Sequence, residues 1–251
     1  MRLSILLTFV LLASSALAQM NQTDAQGRKQ GDWGKTYPKT KIYQYRGQFK
    51  DGKPVGIFTY NYPINKVKAI IKHDPTGNRA VANMFHENGQ IMSIGIYRNE
   101  KKDSIWRNFG PSGRLSNTET YKADSLHGEK VIYFVPEDIN DKRQVVAGRY
   151  NYVNGTMEGE FKEFFDDSGT SKNGQYLNGR KHGEWTTYSV SGKPMMFERY
   201  KNGVRHGWAI AYGNDGVESN RVYFYKGKQT EGDQLKDLMR QMKEKGINPN
   251  E

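Results

Sequence analysis

Residues 174–192 read GQYLNGRKHGEWTTYSVSG, and how this stretch is read decides the fold. Within it, RKHGEW sets Arg180, Lys181, His182 and Glu184 side by side, as the corner of an active site would. The same residues also follow Asn178-Gly179, a pair that favours a two-residue hairpin turn because both central positions tolerate positive φ. Register separates the two readings. Twenty-four residues later stands NGVRHGWAIAYGNDG from Asn202, and twenty-four earlier NGTMEGEFKEFFDDSG from Asn154. The spacing continues through QGRKQGDWGKTY from Gln26, DGKPVGIFTYNY from Asp51, NEKKDSIWRNFGPSG from Asn99 and ADSLHGEKVIYF from Ala123. A degenerate unit, PTGNRAVANMFHENG from Pro75, fills the remaining gap.

Units therefore start at 26, 51, 75, 99, 123, 154, 178 and 202, with a partial ninth at Lys226-Gly227. Steps are 24 or 25 residues except one of 31, which places an insertion between 135 and 148. Fixed-period self-similarity is the signature of a repeat array. Each unit reads as a hairpin and a return. An aromatic two places before the turn (Phe49, Tyr97, Tyr121, Tyr152, Tyr176, Tyr200, Phe224) lies on the incoming strand. The outgoing strand carries a glycine (Gly31, Gly56, Gly128, Gly159, Gly183, Gly207), then a ring such as Trp33, Trp106 or Trp185, then Tyr188 and its equivalents. A tight turn at Asn178-Gly179 sets Gly174 opposite Gly183, a bare patch on which a ring from a neighbouring unit can lie. His182 recurs as His206 and His127 but is replaced by Gln30, Val55 or Glu158 elsewhere. A catalytic imidazole would not be present in three units and dispensable in the others, so RKHGEW reads as architecture.

The pattern G-x-Y-x-N-G-x-x-x-G-x-W-x-x-Y resembles the MORN repeat (membrane occupation and recognition nexus), in the variant of exported and antitoxin-like bacterial proteins. The resemblance is strongest over residues 174–216 and covers 26–226; it departs at Pro75, at Ser104 and at the insertion. It implies an elongated single-layer antiparallel sheet that binds proteins, with phospholipid binding proposed for some members, and no catalysis by the repeats.

Outside the array, residues 1–18 read as a secretory signal peptide: Arg2, an apolar run, and a small-x-small site at Ala16–Ala18. Residues 19–25 read as a linker. Past residue 229, Leu235, Leu238, Met239 and Met242 fall at helical spacing and Gly246 stops the pattern, predicting a helix over 230–246 that caps the array; residues 247–251 are a tail. No window past the leader is apolar enough to span a membrane. Without cysteine the exported chain has no disulfide staples.

The expected fold is all-β, an elongated single-layer antiparallel meander of about eight hairpin repeats. At about 4.8 Å per strand it would run on the order of 75 Å. Chemistry finds little purchase. GQFKDGKP from Gly47 mimics a phosphate loop but ends in Pro54 where Ser or Thr should hold magnesium. FFDDSG and YGNDG lack the ligand pattern of a calcium loop, and no serine sits in a G-x-S-x-G elbow. The expectation is no enzyme, no cofactor and no metal site, but an exported, periplasmic or secreted scaffold for an envelope protein. After removal of residues 1–18 the chain holds 37 basic and 27 acidic residues, a net charge of +10. In an exported protein that charge suggests anionic lipid or acidic glycan as the alternative partner, and not nucleic acid. Partner-binding candidates are Trp208, one residue off the ring row and so on the other face, Tyr212, and a basic edge of Arg180, Lys181 and Arg205.

Overall fold

A computed structural model describes residues 19–250, except 137, 139 and 142. The signal-peptide expectation for residues 1–18 lies outside the described residues. Among the described residues nineteen strands form one open antiparallel sheet, followed by one helix. The first six strands are β1 (Gln22–Thr23), β2 (Lys29–Thr36), β3 (Tyr43–Lys50), β4 (Lys53–Asn61), β5 (Val67–His73) and β6 (Arg79–Phe85). Then come β7 (Ile91–Arg98), β8 (Lys101–Phe109), β9 (Leu115–Lys122), β10 (Ser125–Tyr133), β11 (Val146–Val153) and β12 (Thr156–Phe164). The last are β13 (Thr170–Leu177), β14 (Arg180–Tyr188), β15 (Pro194–Lys201), β16 (Val204–Arg205), β17 (Gly207–Tyr212), β18 (Glu218–Tyr225) and β19 (Lys228–Thr230), before α1 (Gly232–Glu244). Each strand pairs with its sequence neighbour, except that β16 and β17 are two pieces of one strand laid along β15. The sheet is an all-β single-layer meander, as the repeat pattern predicts.

Two kinds of turn alternate along its edges. Asn178 and Gly179 have φ of 52° and 74°, with Leu177 paired to Arg180, so the loop has two residues of positive φ. Six other units repeat this, including Ala123-Asp124 at 50° and 70°. On the opposite edge the chain turns through three-residue loops; Ser189 donates its N–H to the Lys193 carbonyl at 2.8 Å and Gly192 to Ser189 at 2.9 Å. The two-residue turns are also tied to one another. The amides of Gly179, Gly203 and Gly227 each donate, at 2.9 Å, to a carbonyl of the preceding unit, those of Met157, Lys181 and Arg205. The same bond forms across the 31-residue step, from Gly155 to the Leu126 carbonyl at 2.8 Å, so it ties neighbouring turns together whatever the length of the return between them.

Ala123 is the poorest choice among the turn residues, because an L side chain in the left-handed region costs about 1–2 kcal/mol and Asn relieves part of that. Ala123→Asn is expected to stabilise the chain by about 0.5–1 kcal/mol and to raise its Tm by about 1–4 °C, measured by thermal melt followed at the tyrosine band.

The pairing of Gly174 with Gly183 is corrected by the structure. Gln175 pairs with His182 and Asn173 with Thr186, so three residues, Gly183 to Trp185, stand opposite Gly174 alone. This is a bulge with two extra residues, and Gly183 enters it with φ of 67°. The unit from Asn99 does the same with Ser104 at φ 60°. The bulge swings the ring of Trp185 back over its own hairpin: a Cβ on Gly174 would lie 2.3 Å from Trp185 Cδ2. Gly47 and Gly95 receive Phe58 and Trp106 in the same way. The ring thus comes from the same unit, not from a neighbour.

The unit from Pro75 solves the length differently. Its loop holds four residues, Pro75–Asn78, and β5 pairs with β6 from His73–Ala80 to Ala69–Met84 without interruption. The two residues that others place in the bulge sit in the loop, so the 24-residue step survives. Ala82 then stands directly opposite Ile71 and carries no ring. Ser104 lies in the bulge against β7, while on its other side it pairs with Tyr121 in a regular ladder with β9. Across the insertion the ladder also continues, from β10 to β11, and Arg114 donates to the Asp138 carbonyl at 3.0 Å.

One end assignment changes. Within the expected linker, β1 pairs with β2, and Gly34 donates to Asn21 Oδ1 at 2.9 Å, so residues 21–23 belong to the sheet. The helix forms where its apolar spacing predicts, with Met242 buried and Leu235, Leu238 and Met239 half-buried. It packs against the last strands of the array, beside Val204, His206 and Tyr225. Tyr223, fully buried, donates its hydroxyl to the Pro249 carbonyl at 2.6 Å and touches Met242 Sδ.

Candidate functional site

One face of the sheet carries a row of side chains seven positions after each turn start. Phe58, Ala82, Trp106, Phe161, Trp185 and Ala209 in this row are buried, and Trp33 is half-buried. Three of the rings pack edge-on against the aromatic two places before their own turn: Phe58 on Phe49 at 5.2 Å, Trp106 on Tyr97 at 5.0 Å and Trp185 on Tyr176 at 5.2 Å. Several also reach the next unit's ring, as in Trp185 to Tyr200 at 6.2 Å. Such edge-to-face contacts add to the area they bury.

A cation roofs this ladder in three units. Lys29 lies 4.7 Å from both Trp33 and Phe49. Lys102 lies 4.5 Å from Trp106 and 4.8 Å from Tyr121. Lys181 lies 4.3 Å from Trp185 and 4.8 Å from Tyr200. Burial, with the nearby Lys172 and Arg205, pushes the Lys181 ammonium below its ordinary pKa. Arg205 lies over Phe224 at 5.1 Å and pairs with Glu198 at 2.7 Å. Two members of the expected basic edge, Lys181 and Arg205, are therefore engaged inside the ladder, and Arg180 packs its stem against Gly203.

The histidines are part of the same frame. His127 Nδ1 and His206 Nδ1 each accept the amide of the next turn, from Asn154 and Lys226 at 3.4 Å. Gln30 and Glu158 do the same for Asp51 and Asn178, at 3.1 and 2.7 Å. Different acceptors serve there, which explains why His is exchanged for Gln or Glu, although His182 Nδ1 has no such partner and Val55 carries no acceptor.

Trp208 does lie on the opposite face, since it pairs with Tyr223 while its neighbour Ala209 is buried in the ladder row. It is half-buried, packed on Tyr223 at 5.2 Å with Arg221 at 5.4 Å, and so is not the exposed ring that its spacing suggested. Tyr212 is half-buried at the end of β17. The structure does not bring Trp208, Lys181 and Arg205 into one site.

The ring row is interrupted at three units, and what fills each gap differs. In the unit from Ala123 the ring and its glycine are replaced by Lys130 and Glu119, paired at 2.9 Å. Burial, the largest influence on Glu119, would raise its pKa, but hydrogen bonds from Lys130 and Tyr121 hold it below the ordinary value. In the unit from Asn202, Ala209 stands in the row and Glu198 pairs with Arg205. In the unit from Pro75, a cavity of about 330 Å³ lies over Ala80 and Ile71, with Phe58, Tyr60, His73 and Tyr97 in its walls and Glu100 at its lip. Tyr60 and Ile71 divide it from a second cavity of about 430 Å³, floored by Ala69 and flanked by Tyr45, Met84 and Met92. The two form a groove across the ladder face. Burial pushes the Tyr60 and Tyr97 hydroxyls up. Burial also pushes His73 below the ordinary imidazole value, against the pull of Glu100 and Asp74.

Larger hollows lie elsewhere. One of about 650 Å³ near Met20, Asp32 and Arg46 is an open saucer of mixed charge, and one of about 710 Å³ follows the seam where α1 meets the sheet. The groove at the third unit combines concavity, several ring faces and an acceptor, the mix expected of a binding site. Sequence reading passed over its residues, although the absence of both ring and glycine in PTGNRAVA was a signal of a gap. Among the described residues no group of three or more His, Cys, Asp or Glu is placed to hold a metal, and no helix is long and apolar enough to cross a membrane.

No protein-family model matches this chain, and no curated protein matches it. Two solved structures align with parts of it. One is the crystal structure of TarM, at 15% identity over 43% of this chain and 20% of that one, with a TM-score of 0.29. The other is a mutant of S. aureus TarM in complex with fondaparinux, alpha-GlcNAc-glycerol and UDP, at 12% identity over 51% and 19%, with a TM-score of 0.23. The matches span about a fifth of those chains, and similarity at this level carries no argument about fold or function.

Proposed function

We propose that the chain is an exported, non-enzymatic repeat scaffold of the MORN type that holds a partner polypeptide in the bacterial envelope. The observation that carries this reading is the groove at the third unit. Elsewhere the ladder is closed by its own rings, lysines or ion pairs, whereas here it offers two adjoining cavities with aromatic walls, on a sheet with much surface and little interior. Extended peptides are bound by sheet surfaces through pockets for individual side chains. The alternative partner, anionic lipid or acidic glycan, would use the basic edge, and Lys181 and Arg205 there already serve the ladder.

The test immobilises residues 19–251 and a variant with the groove plugged, Ala80→Phe, and passes an envelope extract over both at high salt. The expected result is one stoichiometric protein held by the native chain and absent from the variant. A protein held equally by both, or acidic lipid retained only at low salt, would overturn the reading.

A further inference from the structure

The repeats themselves show what chemistry the groove is built to receive. In the units from Asn99 and Asn178 the side chain opposite the aromatic before the turn is a lysine whose ammonium rests between two rings, Lys102 opposite Tyr97 and Lys181 opposite Tyr176, and in the unit from Asn202 it is Arg205; the units from Asp51 and Asn154 have Pro54 and Met157 there. In the third unit Ala80 occupies that place, opposite His73 and also beside Tyr97. The rings are kept and the cation is missing. The ion-pair pattern points the same way. The other two interruptions of the ladder each hold a carboxylate with its own cation, Glu119 with Lys130 and Glu198 with Arg205. The third has a carboxylate at its lip, Glu100, with no ion pair among the described residues. No lysine or arginine lines that cavity, the nearby Lys53 donating to Asn78 Oδ1 at 3.1 Å, and burial holds His73 below the ordinary imidazole value.

We infer that this cavity binds a lysine side chain of the partner polypeptide, its ammonium seated between the Tyr97 and Phe58 walls and facing Glu100. The inference rests on the groove being the scaffold's partner site. The adjoining cavity beyond Tyr60, with Ala69 as floor and Met84 as wall, would take an apolar neighbour of that lysine. Cation–π attraction strengthens as the cation is desolvated. The overall positive charge opposes a cationic ligand only at long range, and at physiological salt that field is screened within about 8 Å.

The test titrates the chain with three probes: capped Gly-Lys-Gly, its neutral counterpart capped Gly-norleucine-Gly, and choline. Binding is read from the NMR signals of His73 and Tyr97, with Trp185 as a remote control. The lysine peptide is expected to bind about fivefold or more tightly than the norleucine peptide. Glu100→Gln, an exposed change, should remove most of that preference. Ala80→Lys should abolish binding by supplying the cation from within. Equal binding of both peptides, or no binding of either, would overturn the inference, and so would choline binding without the lysine peptide. None of these results bears on whether Ala80→Phe releases a captured protein, so the two readings fail separately.

Discussion

Gly174→Val is expected to destabilise the chain by about 3–5 kcal/mol, as much as deleting a buried tryptophan. A Cβ at Gly174 would meet Trp185 Cδ2 at 2.3 Å and Cε2 at 2.4 Å, and the ring is 3% exposed, so it has no second place to go. The opposing effect is small: valine favours an extended strand over glycine by no more than about 1 kcal/mol. The steric term wins. Urea melts of Gly174→Val, Trp185→Ala and the double variant check the mechanism as well as the sign. If the glycine exists to admit the ring, the double variant is no less stable than Trp185→Ala alone, and the two changes are strongly coupled. Additive losses would mean that Gly174 is required for some other reason, and the account of the ladder would fail with it.

This coupling also marks where the sequence stops being legible. The hairpin turns, the aromatics before them and the row of Trp33, Trp106 and Trp185 follow from period and turn chemistry, and the structure has them. The partner of Gly183 does not follow, because a glycine facing another glycine and a glycine of positive φ opening a bulge are written with the same letter. Only the ladder, with Gln175 on His182 and Asn173 on Thr186, distinguishes them. The third unit was hidden for a related reason. Two residues moved from bulge to loop leave its length unchanged, so the register from Asp51 to Asn99 looks undisturbed while the ring row is broken between His73 and Tyr97. Trp208 was placed on its face correctly by alternation. Its partners Tyr223 and Arg221 come from the last hairpin, and no local spacing shows that they cover it.

The third unit should be convertible into a regular one, and the conversion separates fold from function. Writing the residues of Asn178–Trp185 over Pro75–Ala82, together with Ile71→Gly, supplies a two-residue turn, a bulge glycine, a ring and a glycine to receive it. It also supplies the roofing lysine. The ring would close the gap between His73 and Tyr97 and fill the cavity of about 330 Å³. Burying it offsets the loss of the half-buried Ile71, so stability should hold or rise on the order of 1 kcal/mol. Capture of the partner, in contrast, should disappear. The two readouts, a urea melt and retention of the captured protein, are independent. A graft that fails to fold would mean that the loop of Pro75–Asn78 is not the displaced bulge, and the equivalence of the units would be wrong. A graft that folds and still holds the partner would remove the groove from the function. A graft that is at least as stable and binds nothing would show that the irregular unit weakens the ladder in order to leave a place for another chain.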